Sequence, residues 1–304
     1  VKLAVMTQLT PEQTAAFERA LSRLSSADRA RVNELKDAAA RAAAEVAPHW
    51  DFELAARTVD GLLGEGANDD QRRGLIAAWA LELPGRIVAE NLPQAVLAGY
   101  PTYIDRLAAY LDSGADPYDP DFWAKDVRVA LALSVPGSNT QMLDLSSPVG
   151  PGLVVRHMLG GRGPGPLIAW VQAGGRRPWL ETHTEARDLS DFNEAGWERN
   201  WAAAAALLKT RPELAGVIGS SWFFDPPLET ISPRLTYLRT TPVNNGAFMI
   251  HQGGGEIHDE RASASSPTRR AMIEAGEYSA CSWLLCWPRK PLIRWAEARG
   301  LLEP

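Results

Sequence analysis

The sequence predicts a mixed α/β (α+β) fold, in which a helical N-terminal domain precedes a mixed sheet flanked by helices. Three observations predict it. Apolar residues recur at helical spacing between capping signals through the first 111 positions. A Gly/Asp/Pro-rich stretch at 113–121 then interrupts the chain, and the pattern beyond it changes to short extended runs. Finally, 178–233 reads as strand, long helix, strand and a second helix start at Ile231-Ser232-Pro233.

The elements follow in order. Met6 reads as the true start, with the five residues before it a scar. Thr10-Pro11-Glu12-Gln13 combines a capping hydroxyl, a proline at the first helical position and a Gln three residues on. A helix is expected from there to about Leu24. Ser26 is expected to cap a second helix that runs to Val46, where Pro48 stops it. Further helices are expected at about 52–63, 69–83, 87–98 and 102–111, giving a bundle. The stretch 113–121 divides a helical domain (6–115) from an α/β domain (122–304).

Past that boundary, 128–135, 140–145, 152–159 and 167–172 read as strands of an antiparallel meander. A strand at 179–184, a helix at about 189–210 and a strand at 214–224 come next. The remaining elements are a strand at 247–252, a helix at 267–275, a strand at 279–286 and a helix at 292–298.

Composition narrows the function classes. A chain of 304 residues, 45% hydrophobic and 22% charged, is long enough for a sizeable core and reads as a soluble globular protein. Its longest apolar runs, such as 201–208, fall far short of the roughly 20 residues that cross a bilayer. Residues 1–120 hold 12 Lys+Arg against 18 Asp+Glu, whereas 121–304 hold 19 of each. With no basic run, neither nucleic acid nor membrane insertion is expected. Cys281 and Cys286, five apart on one expected strand, point to opposite faces. Free thiols in a reducing cytoplasm are therefore the expectation.

The order of elements over about 128–287, a meander followed by strand, long helix, strand, shorter helix and closing strands, resembles that of the GNAT-type N-acyltransferases. The resemblance implies that 179–184 and 214–223 are parallel neighbours that splay to hold an acyl-pantetheine arm. It also implies a backbone N–H on the first strand that receives the thioester oxygen. The family's pyrophosphate loop has no counterpart in Glu185-Ala186-Arg187-Asp188-Leu189-Ser190-Asp191, which is acidic. The implied donor is an acyl-CoA or an acyl-carrier-protein thioester, and the implied acceptor an amine of a small molecule or peptide.

Candidate chemical residues follow. Glu181 and His183 alternate with Thr182 and share a strand face, where either can serve as general base; a histidine bonded to a neighbour at a strand end is the alternative. Ser220 and Ser221 end an apolar strand behind Gly219, and their hydroxyls suit a thioester carbonyl or a pantetheine amide. Capping the next turn is their alternative role. Trp222, with Trp179, Phe223 and Phe224, either lines an acyl tunnel or fills core. Arg234 and Arg239 flank Tyr237 and suit a phosphate or carboxylate; a solvated face is the alternative. His251, Glu256, His258 and Asp259 surround Gly253-Gly254-Gly255, read as a mobile loop and lid. No metal is expected in the leading reading.

Three functions emerge. The leading one is N-acyl transfer, with Glu181, His183 and Ser221 as catalytic residues and Ser220, Trp222, Arg234 and Arg239 holding donor or substrate. The second is a non-haem iron oxygenase using His183, Glu185 and His251 or His258. The third is a non-catalytic binding or scaffold protein whose sheet domain has lost its chemistry; in the leading reading the acidic helical domain recruits a basic peptide or protein substrate by complementary charge.

Overall fold

A computed structural model describes residues 8–114 and 117–302. The expected start at Met6 lies outside them. The protein is mixed α+β, and among the described residues no helix is long and apolar enough to cross a membrane. Two compact units are formed. The first holds the described residues up to Ser147 together with Thr184–Asp191, and the second holds Pro148–His183 and the residues from Phe192 onward. The Gly/Asp/Pro stretch joins two helices of the first unit, and the division falls after Ser147.

The first unit is largely helical: α1 (Pro11–Ser22), α2 (Ser26–Val46), α3 (Leu54–Leu63), α4 (Asp69–Glu90), α5 (Gln94–Leu97), α6 (Tyr100–Ser113) and α7 (Pro120–Ala130). The capping box at Thr10 and Gln13 forms with both reciprocal bonds, and the Gln13 amide also donates to Asp105 at 2.7 Å. Ser25, one residue before the expected cap, accepts from the Asp28 N–H of α2. Helix α4 continues through Pro84, where the sequence suggested a break. Leu75, Ile76, Trp79, Leu83 and Ile87 are buried along it, and their packing outweighs the lost backbone bond.

The expected four-stranded meander does not form. Asp119 caps α7, with Pro120 at its first position, so 128–130 is helical. A hairpin of β1 (Ser134–Pro136) and β2 (Gln141–Pro148) follows, in the register Val135↔Leu143. The other two runs are helices, α8 (Pro151–His157) and α9 (Gly165–Gln172), each with proline in its first turn. Short apolar runs rich in Val and Leu fit both periods, and the prolines mark these as helix starts.

Two buried ion clusters tie the first unit together. Arg128 holds Asp144 with two bonds, of 2.8 and 3.1 Å, and donates to the Ala47 carbonyl at 3.2 Å. Arg187 grips Asp126 at 2.6 and 3.0 Å and Glu185 at 2.8 and 2.9 Å, with the Phe122 ring 4.7 Å from the guanidinium. Burial pushes the Glu185 carboxyl up, but the bonds from Arg187 outweigh that and hold it below its ordinary value. Segment 184–191 is thereby fastened to the helices of its unit.

In the second unit β3 (Pro178–Thr184), β4 (Gly216–Ser221), β6 (Cys281–Pro288) and β5 (Phe248–Gly254) lie side by side in that order. β3 and β4 are parallel, in the register Leu180↔Val217 and Glu181↔Ile218, and are joined by α10 (Glu194–Thr210). β6 runs antiparallel to both β4 and β5. Around these strands lie α11 (Leu228–Ile231), α12 (Tyr237–Asn244), α13 (Glu256–Ser263), α14 (Pro267–Glu274) and α15 (Arg289–Ala298). Gly253 and Gly254 pair with Ser282 and Cys281 across a bulge in β5, so the expected Gly-rich lid is in part strand.

Each sheet face has its own cover. Asn200 of α10 bonds Thr182 at 3.2 Å, and Trp201 of the same helix packs on Trp287 of β6. On the other face Trp179, Ile218, Ile250, Leu284 and Cys286 form one apolar cluster with Val154 of α8 and Trp170 of α9. At the start of β4 no side chain fits. A Cβ on Gly216 would stand 2.2 Å from the Trp287 carbonyl oxygen and 2.6 Å from the Trp179 ring.

Two outcomes test this packing. Gly216→Ala should destabilise the protein by about 3 kcal/mol, because the obstructing atom is ladder backbone; urea unfolding measures it. Arg187→Met should cost about 3–5 kcal/mol by leaving two buried carboxylates without their partner. A stability within about 1 kcal/mol of the parent would count against the assigned role of Arg187.

Candidate functional site

The register of the second unit puts polar side chains together at one end of the sheet. β3 alternates Trp179, Glu181 and His183 on one face, beside Ile218 and Ser220 of β4. The inner members of these rows are the apolar cluster already described. The outer members are Glu181, His183 and Ser220, where the parallel strands end.

Glu181 and His183 approach each other to 3.9 Å, between carboxylate Oε2 and imidazole Nε2, and both are mostly buried. Burial, and after it the Glu181 charge, push the Cys286 thiol well above its ordinary value. That thiol is neutral core rather than a nucleophile. Across β4, the Ser220 hydroxyl donates to the Gln252 side-chain oxygen at 2.6 Å, and the same oxygen accepts from Ser282 at 2.9 Å. Gln252 of β5 thus gathers one hydroxyl from β4 and one from β6. Neither Gln252 nor Ser282 carried a sequence signal, because the bulge between His251 and Gly253 shifts the alternation.

Ser220 and Ser221 part company. Ser221 points to the opposite face from Ser220 and caps the tight turn Trp222–Phe224 by accepting from the Phe223 N–H. Behind them Gly219 is a close approach: a Cβ there would lie 2.9 Å from the Thr182 methyl. Trp222, Phe223 and Phe224 of the expected tunnel pack edge-on against one another, with Trp222 and Phe223 half-buried. Phe223 packs on Phe224 with centroids 4.8 Å apart and on Trp197 at 5.8 Å, and Phe224 is buried. Trp222 meets Phe223 edge-on at 5.9 Å, and both pack against Leu228, Ala262, Tyr278 and Ala280, with Trp222 also against the Arg269 guanidinium.

The two expected anchoring arginines have different fates. Arg239 is ion-paired with Glu229. Arg234 is exposed on the turn Pro233–Leu235. Of the expected iron ligands, Glu185 is engaged elsewhere. Both carboxylate oxygens of Glu185 bond Arg187 in the first unit. His251 packs edge-on against Trp283 at 5.0 Å, and His258 lies on α13. Cys281 and Cys286 are free thiols, as expected.

β5 is the outer strand of its unit, and a histidine caps its backbone. His157 accepts the His251 N–H at Nδ1, 2.9 Å away, and so must be neutral at that nitrogen. Burial, the Arg162 charge and His251 all lower its pKa. Asp225 supports the neighbouring strand, accepting from the Trp283 indole, the Cys281 N–H and the Tyr278 hydroxyl.

Comparisons with protein-family models, with curated proteins and with solved structures found no match. The assignment of function therefore rests on the geometry alone.

The histidine cap carries a sign that can be checked. A folded pKa below that of the unfolded chain means that the unfolded state binds the proton more readily, so stability falls as the pH drops below about 6.5 toward the folded value. Urea unfolding at pH 7.5 and 5.0 should show this loss. His157→Gln should flatten that part of the profile, while an unchanged slope would remove His157 as its source.

Proposed function

We propose that the second unit transfers an acyl group from a pantetheine thioester, carried by CoA or by a carrier protein, to an amine of a small molecule or peptide. The observation that carries this reading is the parallel pairing of β3 with β4, which sets Glu181 and His183 on the same face as Ser220 where the two strands end. Acyl transfer needs a group that takes a proton from the attacking amine and donors that meet the charge growing on the carbonyl oxygen. The acid and the imidazole supply the first. Strand-end backbone N–H groups supply the second, and the Ser220 hydroxyl joins them when it turns its single proton from Gln252 to the oxyanion.

In the reaction the amine nitrogen bonds to the thioester carbonyl carbon while Glu181 or His183 takes the amine proton. Collapse of the intermediate breaks the carbon–sulfur bond, and the departing thiolate receives a proton. The Glu181 carboxylate, 3.9 Å from the His183 imidazole, stabilises the imidazolium formed by that transfer. Segment 185–191 offers a diphosphate no open cation, since Arg187 is held by Asp126 and Glu185. The donor is therefore gripped along its pantetheine arm, which suits a carrier-protein thioester as well as CoA.

A panel of acyl-CoA and acyl-carrier-protein donors, followed by thermal shift and then by thiol release with amine acceptors, tests this. A true donor raises the melting temperature by mass action. Glu181→Gln and His183→Gln should each lower the transfer rate about 100-fold or more while the unfolding midpoint stays near that of the parent. If no donor stabilises the protein, or both variants transfer at the parental rate, the proposal fails and the binding-protein reading takes its place.

A further inference from the structure

Arg269 is a buried cation whose partners are all neutral. It sits on α14 with 1% of its surface exposed. Its Nε donates to the Ala262 carbonyl in the last turns of α13 at 2.6 Å, and its Nη1 donates to the Ser232 hydroxyl at 2.9 Å. The Trp222 ring lies against the guanidinium, 4.9 Å from its centre. Among the described residues no carboxylate pairs with it. A guanidinium removed from water is costly unless an anion meets it.

The surroundings add cations and donors. Ser232 accepts from Arg269 and so keeps its own hydroxyl proton to give. Two residues on, the turn Pro233–Leu235 carries Arg234, which is exposed and has no ion pair among the described residues. Burial and the Arg234 charge both lower the Arg269 pKa, so the two cations feel one another. Two guanidiniums of like charge, with the Ser232 hydroxyl bonded to one and two residues before the other and no ion pair on either among the described residues, make an incomplete electrostatic arrangement. An oxyanion completes it, since the guanidinium fork matches carboxylate and phosphate oxygens.

We propose that Arg269, Ser232 and Arg234 form a binding site for the carboxylate or phosphate group of a small ligand, with Trp222 stacked on the Arg269 guanidinium. Arg269 is the fixed member, held by α13, Ser232 and the indole. Arg234 is the exposed member that closes on the anion. The site lies beside the turn that ends β4, and it stands whether or not the protein transfers acyl groups.

Thermal shift with inorganic phosphate and with acetate, each against sodium chloride of matched ionic strength, tests the site and separates the two anion sources. At least one anion should stabilise the parent protein saturably beyond the chloride control. Arg234→Ala removes an exposed side chain and should raise the half-saturating concentration at least tenfold. Arg270→Ala, a neighbouring surface cation, should change it less than twofold. The proposal is overturned if neither anion exceeds chloride, or if Arg270→Ala weakens binding as much as Arg234→Ala.

Discussion

The second unit depends on the absence of a side chain at position 216. The Trp287 carbonyl oxygen and the Trp179 ring fill the space where one would be. That close approach begins the β4–β6 ladder at Gly216↔Pro288, and the ladder then runs on through Ser221↔Trp283. From the other side, Leu180 and Glu181 of β3 pair with Val217 and Ile218. The three strands are thus locked in register over one short segment. A parallel pair has no hairpin turn to fix its register, and the link here is a 17-residue helix. Tight backbone packing at the strand start takes over that role.

Once the register is fixed, the distribution of chemistry follows. On the face covered by α8 and α9, the inner positions Trp179, Ile218, Leu284 and Cys286 are core, and the outer positions Glu181, His183 and Ser220 are polar. A one-residue slip would send Glu181 toward α10, where Asn200 now meets Thr182. The apolar half thus holds the polar half in place. Position in the sheet, and not a sequence motif, makes the candidate site.

Much of this was legible in the sequence. The capping box at Thr10, the crossover from β3 through α10 to β4, and the common face of Glu181 and His183 all rest on local patterns that packing reinforced. The failures share a cause. Runs 152–159 and 167–172 are short and apolar, so strand and helix periods fit them equally, and only Pro151 and Pro166 mark them as helices. Pro84 misled in the opposite sense, because tertiary burial of Trp79, Leu83 and Ile87 carried α4 past it. Ser220 and Ser221 read as a pair, yet alternation sends one to Gln252 and the other to a turn cap. Gln252 was hidden behind a bulge, which no single-sequence pattern reports.

The deeply held arginines show what a charge in a protein interior requires, and where this chain departs from it. Arg128 faces Asp144 through two bonds, and Arg187 has both Asp126 and Glu185. In each case carboxylates repay the loss of hydration, and the result is a clamp between distant parts of the sequence. Arg269 is as buried as Arg128 and has no such acid. The Ala262 carbonyl at a helix end and the Trp222 ring compensate it in part, as a helix C-terminus and an aromatic face do for a cation. Structure alone would be served as well by an apolar side chain of similar size, which would cost nothing to dehydrate. Keeping a guanidinium there, its pKa lowered first by burial and then by the Arg234 charge, makes sense if an anion arrives from outside the chain.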